Sequence, residues 1–383
     1  MKILIVSKCP THPTNAGNRW GILAQAEILM KLGNEVHFLF VLEWPMRQDK
    51  KNCNFDLEQT SKYWGHKFHL YTVPKIEKFC MDLKLYMDDV FRNGYYSVDE
   101  TYPHGLSSYV SKLQADENFD ICIVNYVYLT KLFTKVKIPK TAVFTHDCMS
   151  YKNFMVNEPC RTMNAHQEAK GLQRCQHIFA VQDEEMAYFH LLSPRSKIYN
   201  IYSKYDYHPQ PISGNHNIVF LSGGNSYNVN GIHWFVKEVL PLIRNRFNDA
   251  KLLIGGSICK VIKDLEDVPG VQLLGFVDNP ADFYAKADVA INPVYQGTGL
   301  KIKTFEAISY DKVTLVHPHS MAGVFKKETA PLFASDKPVE WIEHLKKIWE
   351  NIEYINTIKE HNKQYLADMN NFIINEYKRF LKS

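Results

Sequence analysis

The run from Asp288 to Ile308 constrains the fold more than any other part of the chain, because it sets a short apolar strand, a glycine-containing loop and a helix start in one span. Asp288 to Pro293 reads as a buried strand, Gly297 and Gly299 free the backbone to curl, and helical character begins at Lys301. Backbone N–H groups at a helix N-terminus attract anions, and Lys301 and Lys303 add full positive charge, so this order builds a phosphate site. The carboxylate of Glu306 would repel a phosphate and is better suited to accept hydrogen bonds from sugar hydroxyls. Together these features predict a pocket for a nucleotide sugar.

The rest of the chain gives that pocket its setting. A length of 383 residues suits two domains of roughly 150 to 200 residues each. Lys2–Ser7, a helix from about Arg19 to Leu32 and the strand Glu35–Leu42 make a βαβ unit, with Ile22, Leu23, Ala26, Leu29 and Met30 on one helix face. Between strand and helix lies the small-residue loop Thr14–Arg19, at the sheet edge where open α/β sheets bind ligands. Residues 50–118 show no clear period. Further strands are predicted at Phe119–Asn125, Thr141–Asp147 and His177–Val181, with a helix from about Glu158 to Arg174.

Residues 199–216, with Pro209, Pro211 and Gly214, read as an interdomain linker. A second α/β series follows: a strand from Asn217 running into Gly224, a helix from about Gly231 to Phe247, and strands at Lys251–Ile254, Val271–Val277 and Lys312–Val316. From Val339 onward the sequence reads as helix. The fold class is α/β with parallel sheets.

Composition narrows the partners. A net charge of +4, with Lys and Arg scattered, does not suggest nucleic acid. Met1–Val6 is a buried strand rather than a signal peptide, and no segment approaches the roughly 18 apolar residues of a membrane span. The eight cysteines contain no Cys-x-x-Cys pair and read as free thiols, which fits a reducing cytoplasm.

The landmarks Ser222-Gly-Gly-Asn225, Leu252 to Gly256, Gly275-Phe-Val277, Phe283 to Asp288 and Gly297 to Glu306 resemble, in order and spacing, the retaining nucleotide-sugar-dependent glycosyltransferases of the GT-B fold. The first half agrees more loosely, through its opening strand, the Gly17 loop and the Phe144–Asp147 strand end. The resemblance implies two Rossmann-like domains facing across a cleft: residues 1–205 for the acceptor, 206–360 for the donor, and a C-terminal helix, 361–383, returning to the first domain. It implies that a UDP- or GDP-sugar is held by Gly223, Gly224, Asn225, Val277, Thr298, Gly299, Leu300, Lys301, Lys303 and Glu306, with Gly17 and Arg19 reaching it from the other domain. His146 would face the reacting sugar and, with Lys301, carry catalysis.

No metal and no other cofactor is expected, since lysines and helix-end amides can stabilise the leaving diphosphate. The acceptor is a carbohydrate, a lipid-linked carrier or a protein, and a lipid carrier would bring the enzyme to the inner membrane face. In one respect the chain departs from the family: the first of two glutamates commonly separated by seven residues is replaced by Gln296 or Thr298, depending on the alignment. A non-catalytic nucleotide-sugar-binding relative and a nucleotide-sugar 2-epimerase are the alternatives.

Overall fold

Residues 1–14, 17–43, 55–91, 97–152, 163–297 and 299–383 are described by the computed structural model. They form two compact units, Met1–Ser203 together with Ile373–Ser383, and Lys204–Phe372.

In chain order the first unit contains β1 (Lys2–Ser7), α1 (Gly17–Lys31), β2 (Glu35–Leu42), α2 (Leu57–Trp64), β3 (Phe68–Thr72), α3 (Lys75–Phe91), α4 (Leu106–Glu117), β4 (Ile121–Asn125), β5 (Lys140–Phe144), α5 (Met149–Lys152), α6 (Ala165–Leu172), β6 (His177–Ala180), α7 (Asp183–Leu192) and β7 (Lys197–Asn200). The strands lie in the order β3-β2-β1-β4-β5-β6-β7, and each neighbouring pair is parallel. A parallel sheet is covered on both faces, so its central strands are apolar throughout: Ile3, Leu4, Ile5 and Val6 are all at 0% exposure.

The second unit follows with β8 (Asn217–Leu221), α8 (Ser226–Trp234), α9 (Leu240–Arg246), β9 (Lys251–Gly255), β10 (Val271–Gly275), α10 (Pro280–Tyr284), β11 (Val289–Asn292), α11 (Ile302–Ser309), β12 (Val313–Val316), β13 (Leu332–Ala334), α12 (Pro338–Trp349) and α13 (Ile352–Lys382). Its parallel sheet runs β10-β9-β8-β11-β12-β13. Both sheets reverse their winding once, at β1/β4 and at β8/β11. Ligands of open α/β sheets settle in the crevice beyond the strand ends at such a reversal.

Several sequence expectations are corrected. The stretch 199–216 is not all linker, because β7 pairs with β6 through Asn200 and the units divide at Ser203/Lys204. The helix expected from Gly231 starts at Ser226, where the Asn225 side chain accepts a hydrogen bond from the Asn228 N–H and caps the first turn. It also does not run evenly to Phe247. Pro241 has no N–H to give, and the preceding residues Phe235–Val239 form a π turn in which the Leu240 N–H reaches back to the Phe235 carbonyl. The terminal helical stretch is two helices, broken at Glu350–Asn351. The chain passes from the second unit to the first at Ile373, within α13. Nothing in the sequence marks that passage, since α13 contains neither Pro nor Gly.

Within the first unit the end of α13 is tied down by Lys140, whose Nζ donates to the carbonyls of Phe380 (3.0 Å) and Leu381 (3.2 Å). A cation on the last carbonyls of a helix satisfies orphan acceptors and complements the helix dipole. Phe380 packs edge-on against Phe179 of β6, with ring centroids 4.8 Å apart.

Candidate active site

The second unit gathers its candidate residues beyond β8 and β11. After Asn292 the chain turns through Gly297 (φ 94°) and Gly299 (φ 74°), conformations that glycine adopts without a steric penalty. Lys301 stands just before the first helical residue, so it belongs to the irregular loop and not to α11. Its side chain is buried, and Nζ donates to the carbonyls of Gly297 (3.3 Å) and Gly299 (3.2 Å). The loop therefore folds around its own cation. His319 Nε2 makes a further contact with the Gly297 carbonyl at 2.8 Å. Thr298 lies outside the described residues.

Lys303 lies in the first turn of α11 and points to the start of α8, donating to Asn228 Oδ1 at 2.7 Å. Asn228 in turn donates to the Gly223 carbonyl at 2.9 Å, and its N–H is capped by Asn225. Gly223, Gly224 and Asn225 are exposed at this end of α8. Close approach is possible because α8 carries Gly231, where a Cβ would meet the Pro293 carbonyl oxygen at 2.9 Å. The glycine turn after β8 and the loop after β11 are thus joined through one lysine and one asparagine.

Burial sets the electrostatics here. Desolvation, with repulsion from Lys301 second, depresses the Lys303 ammonium to about 7, although Glu306 pulls it back up. Desolvation raises the Glu306 carboxyl to about 7, opposed by a hydrogen bond from the Tyr284 hydroxyl and by Lys303. Tyr284 is fully buried and stacks on Tyr310 at 4.8 Å. Tyr205 also faces Glu306, and its hydroxyl donates to the Ile302 carbonyl at 3.3 Å. A carboxyl framed by tyrosines and beside a lysine at the edge of ionisation is an acceptor of hydroxyl hydrogens. Val277, beyond β10, packs with Phe283 and Tyr284 in a small cluster on this side of the sheet. Leu300 is half-buried and precedes Lys301.

The first unit assembles a separate group beyond β1, β4 and β5. Gly17 opens α1, and the next residue, Asn18, donates Nδ2 to Tyr126 Oη at 3.2 Å. Tyr126 stacks on His146, with ring centroids 4.5 Å apart and planes at 25°. The Gly17 loop and His146 are therefore brought together through one tyrosine. Arg19 reaches back to the Pro13 carbonyl at 3.4 Å. Tyr126 (φ 68°) and His146 (φ 61°) both hold a left-handed backbone, which costs bulky residues on the order of 1–3 kcal/mol and concentrates at functional sites.

Sequence reasoning did not single out Asn125, Tyr126, Asn228, Tyr284, Tyr205 or His319. Asn228 carried a usable signal, standing three residues after the capping Asn225. Tyr284 lies in the Phe283–Asp288 landmark. The others are joined to the site by tertiary contacts alone.

Residues 215–351 match the family described as glycosyl transferases group 1. A Klebsiella pneumoniae protein described as an uncharacterized 44.6 kDa protein in the cps region is 22% identical over 344 residues, covering 80% of each chain. Among solved structures, a TarM variant from S. aureus, in complex with fondaparinux, alpha-GlcNAc-glycerol and UDP, is similar with a TM-score of 0.68 at 9% identity, covering 100% of both chains. Sucrose-phosphate synthase from Thermosynechococcus elongatus gives 0.67 at 12% identity, covering 100% of this chain and 98% of that one. The chain has the GT-B fold that these solved glycosyltransferases share, and its second unit carries the match to glycosyl transferases group 1.

Proposed function

We propose that the protein is a glycosyltransferase that moves a sugar from a UDP- or GDP-sugar to an acceptor hydroxyl with retention of anomeric configuration, in the synthesis of a surface polysaccharide or glycoconjugate. The observation that carries the reading is the meeting of Lys301, Lys303 and Glu306 at the β8/β11 reversal. The lysines and the loop amides bind the diphosphate, Glu306 accepts the ribose hydroxyls, and Val277 lines the base pocket. Gly223, Gly224 and Asn225 close the phosphate side. UDP in the TarM complex supports a uridine donor, and the cps-region relative supports a polysaccharide product.

In the transfer step the bond from the anomeric carbon to the phosphate oxygen breaks, its electron pair leaving with the nucleoside diphosphate. The acceptor oxygen bonds the same face, and its proton passes to the departing phosphate. Negative charge grows on the diphosphate as the sugar becomes oxocarbenium-like, so fixed cations stabilise the transition state more than the ground state. Retention rests on the family resemblance.

UDP, GDP and ADP, each with its common sugars, are expected to differ in a thermal-shift series, because a ligand that binds only the folded state raises its apparent stability. One nucleotide series should raise Tm, and on the metal-free reading it should do so equally in a chelator, because lysines and loop amides would carry the diphosphate. Transfer restored only by added magnesium or manganese would overturn the metal-free reading. Binding without transfer to any acceptor would favour the non-catalytic alternative, and an epimerised donor the 2-epimerase.

Among the described residues no helix is long and apolar enough to cross a membrane. The six described cysteines are free thiols, which supports a cytoplasmic setting. For a lipid-linked acceptor the membrane contact is assigned to α3, whose Ile76, Phe79, Leu83, Tyr86 and Val90 are exposed at helical spacing. Flotation with vesicles of inner-membrane composition is expected to carry the protein upward, and Phe79→Asp with Leu83→Asp to abolish this. A wild-type protein that stays at the bottom of the gradient removes the membrane contact.

A further inference from the structure

Within the second unit, the loop after β12 is laced to the loop after β11 by a short series of hydrogen bonds. The His317 N–H donates to the Asn292 carbonyl at 2.9 Å, and the buried Ser320 Oγ donates to the Val294 carbonyl at 2.8 Å. His319 lies between them in the tight turn Pro318–Met321, with its own N–H capped by His317 Nδ1 at 3.1 Å. Anchored on both sides, the turn aims the half-buried His319 ring at Gly297. A carbonyl oxygen can only accept, so the hydrogen in that 2.8 Å contact belongs to His319 Nε2. The same carbonyl also receives Lys301 Nζ at 3.3 Å, and the lysine shares itself with the Gly299 carbonyl at 3.2 Å.

Gly297 and Gly299 are both buried, and a buried carbonyl is costly to leave without a donor. With two donors on Gly297, either can depart without stranding it, and the shorter bond is the one from the imidazole. The ring has a fixed seat on its turn, whereas the ammonium ends a flexible four-carbon stem. We propose that His319 is a positioning residue that holds the Gly297 carbonyl, so that Lys301 can turn from the loop to a nucleoside diphosphate without unseating it. The proposal rests on the reading that Lys301 binds the diphosphate. It goes beyond that reading by giving the loop after β12 a part in donor binding: with His319 in place, the departing ammonium strands one carbonyl, that of Gly299, and not two.

The first test needs no ligand. Lys301→Ala and His319→Ala each leave Gly297 one of its two donors, and the double variant leaves it neither. The double variant's Tm is therefore expected to fall by roughly 2 °C or more beyond the sum of the single losses. Additive losses would show that the two side chains do not share the carbonyl, and the proposal would fall. The second test is titration with UDP, GDP and ADP. For the nucleotide that binds wild type, His319→Ala is expected to raise Kd roughly 10-fold, because the departure of Lys301 then strands Gly297 as well. His319→Gln, whose amide nitrogen replaces Nε2 as a donor, should recover most of that loss. In a Lys301→Ala background the His319→Ala change should leave Kd as it is, since no ammonium departs from the carbonyl there. A loss that persists in that background would make His319 a direct ligand and overturn the positioning role, as would an unchanged Kd in His319→Ala itself. A wild type that binds none of the three nucleotides would instead overturn the diphosphate reading, and the proposal with it, whatever the Tm series shows.

Discussion

Lys301→Ala is expected to lower turnover by roughly 10²- to 10³-fold, the range seen when a preorganised group is removed from developing negative charge. The nucleoside diphosphate should bind more weakly as well. A second effect follows from the loop itself, in which Lys301 Nζ serves the carbonyls of Gly297 and Gly299. Removing it takes that cation from both carbonyls; Gly297 keeps its contact with His319, so the cost falls on the Gly299 carbonyl, at about 1–3 kcal/mol if water does not replace the lysine. Tm should therefore fall together with activity. These two roles are compatible, because an ammonium held on carbonyls in the empty site can turn to a diphosphate when one arrives. Lys301→Arg separates them: it restores charge but not the compact geometry, so the diphosphate Kd should recover more than Tm does. A variant that loses Tm yet keeps wild-type kcat and Kd would make Lys301 a brace for the loop and end its catalytic role.

How far the sequence goes toward this site follows from what each part depends on. The central strands were readable because a strand covered on both faces must be apolar throughout, and Ile3–Val6 is. The loop after β11 was readable because glycines, cations and a helix start stood together. Two edge strands, β7 and β13, were not: β7 reads Lys-Ile-Tyr-Asn and β13 has three residues, and an edge strand, paired on one side only, needs no continuous apolar run. Residues 50–118 resisted a period because α3 turns large apolar side chains outward, against the rule that the apolar face is the buried one.

The surroundings of His146 in the first unit were hidden for a sharper reason. Tyr126 and His146 occupy left-handed backbone positions that sequence statistics reserve for Gly, Asn and Asp. Only the fold, which joins β1, β4 and β5 at their ends, shows what offsets that strain: the Asn125 bond and the ring stack. The glycine turn at Ser222–Asn225 was legible as a landmark, but its link to Lys303 runs through Asn228, a contact between residues 75 apart in sequence.

Glu306→Gln is expected to weaken nucleoside diphosphate binding by roughly 10- to 100-fold at pH 8, since hydrogen bonds to a charged group contribute about 1.5–3 kcal/mol. The pH dependence gives the sharper test, and its sign follows from the two groups. Burial raises Glu306 to about 7, so below that pH it holds a proton and can no longer take two ribose hydroxyl hydrogens on a full carboxylate. Wild-type affinity should therefore fall as pH drops from 8 to 6. Burial depresses Lys303 to about 7, so above that pH the empty site has lost this cation and a diphosphate must recharge it by taking up a proton. Affinity should fall again as pH rises, leaving a maximum near neutrality. Glutamine cannot ionise, so the variant should lack the acid limb and differ least from wild type at pH 6. Glu306 also supports the charge on Lys303, so its removal should move the alkaline limb to lower pH. Calorimetric titration with UDP in buffers of differing ionisation heat reads both affinity and proton uptake. An unchanged Kd with an unchanged acid limb would make Glu306 a core carboxyl held by Tyr284 and transfer the ribose contact to another residue.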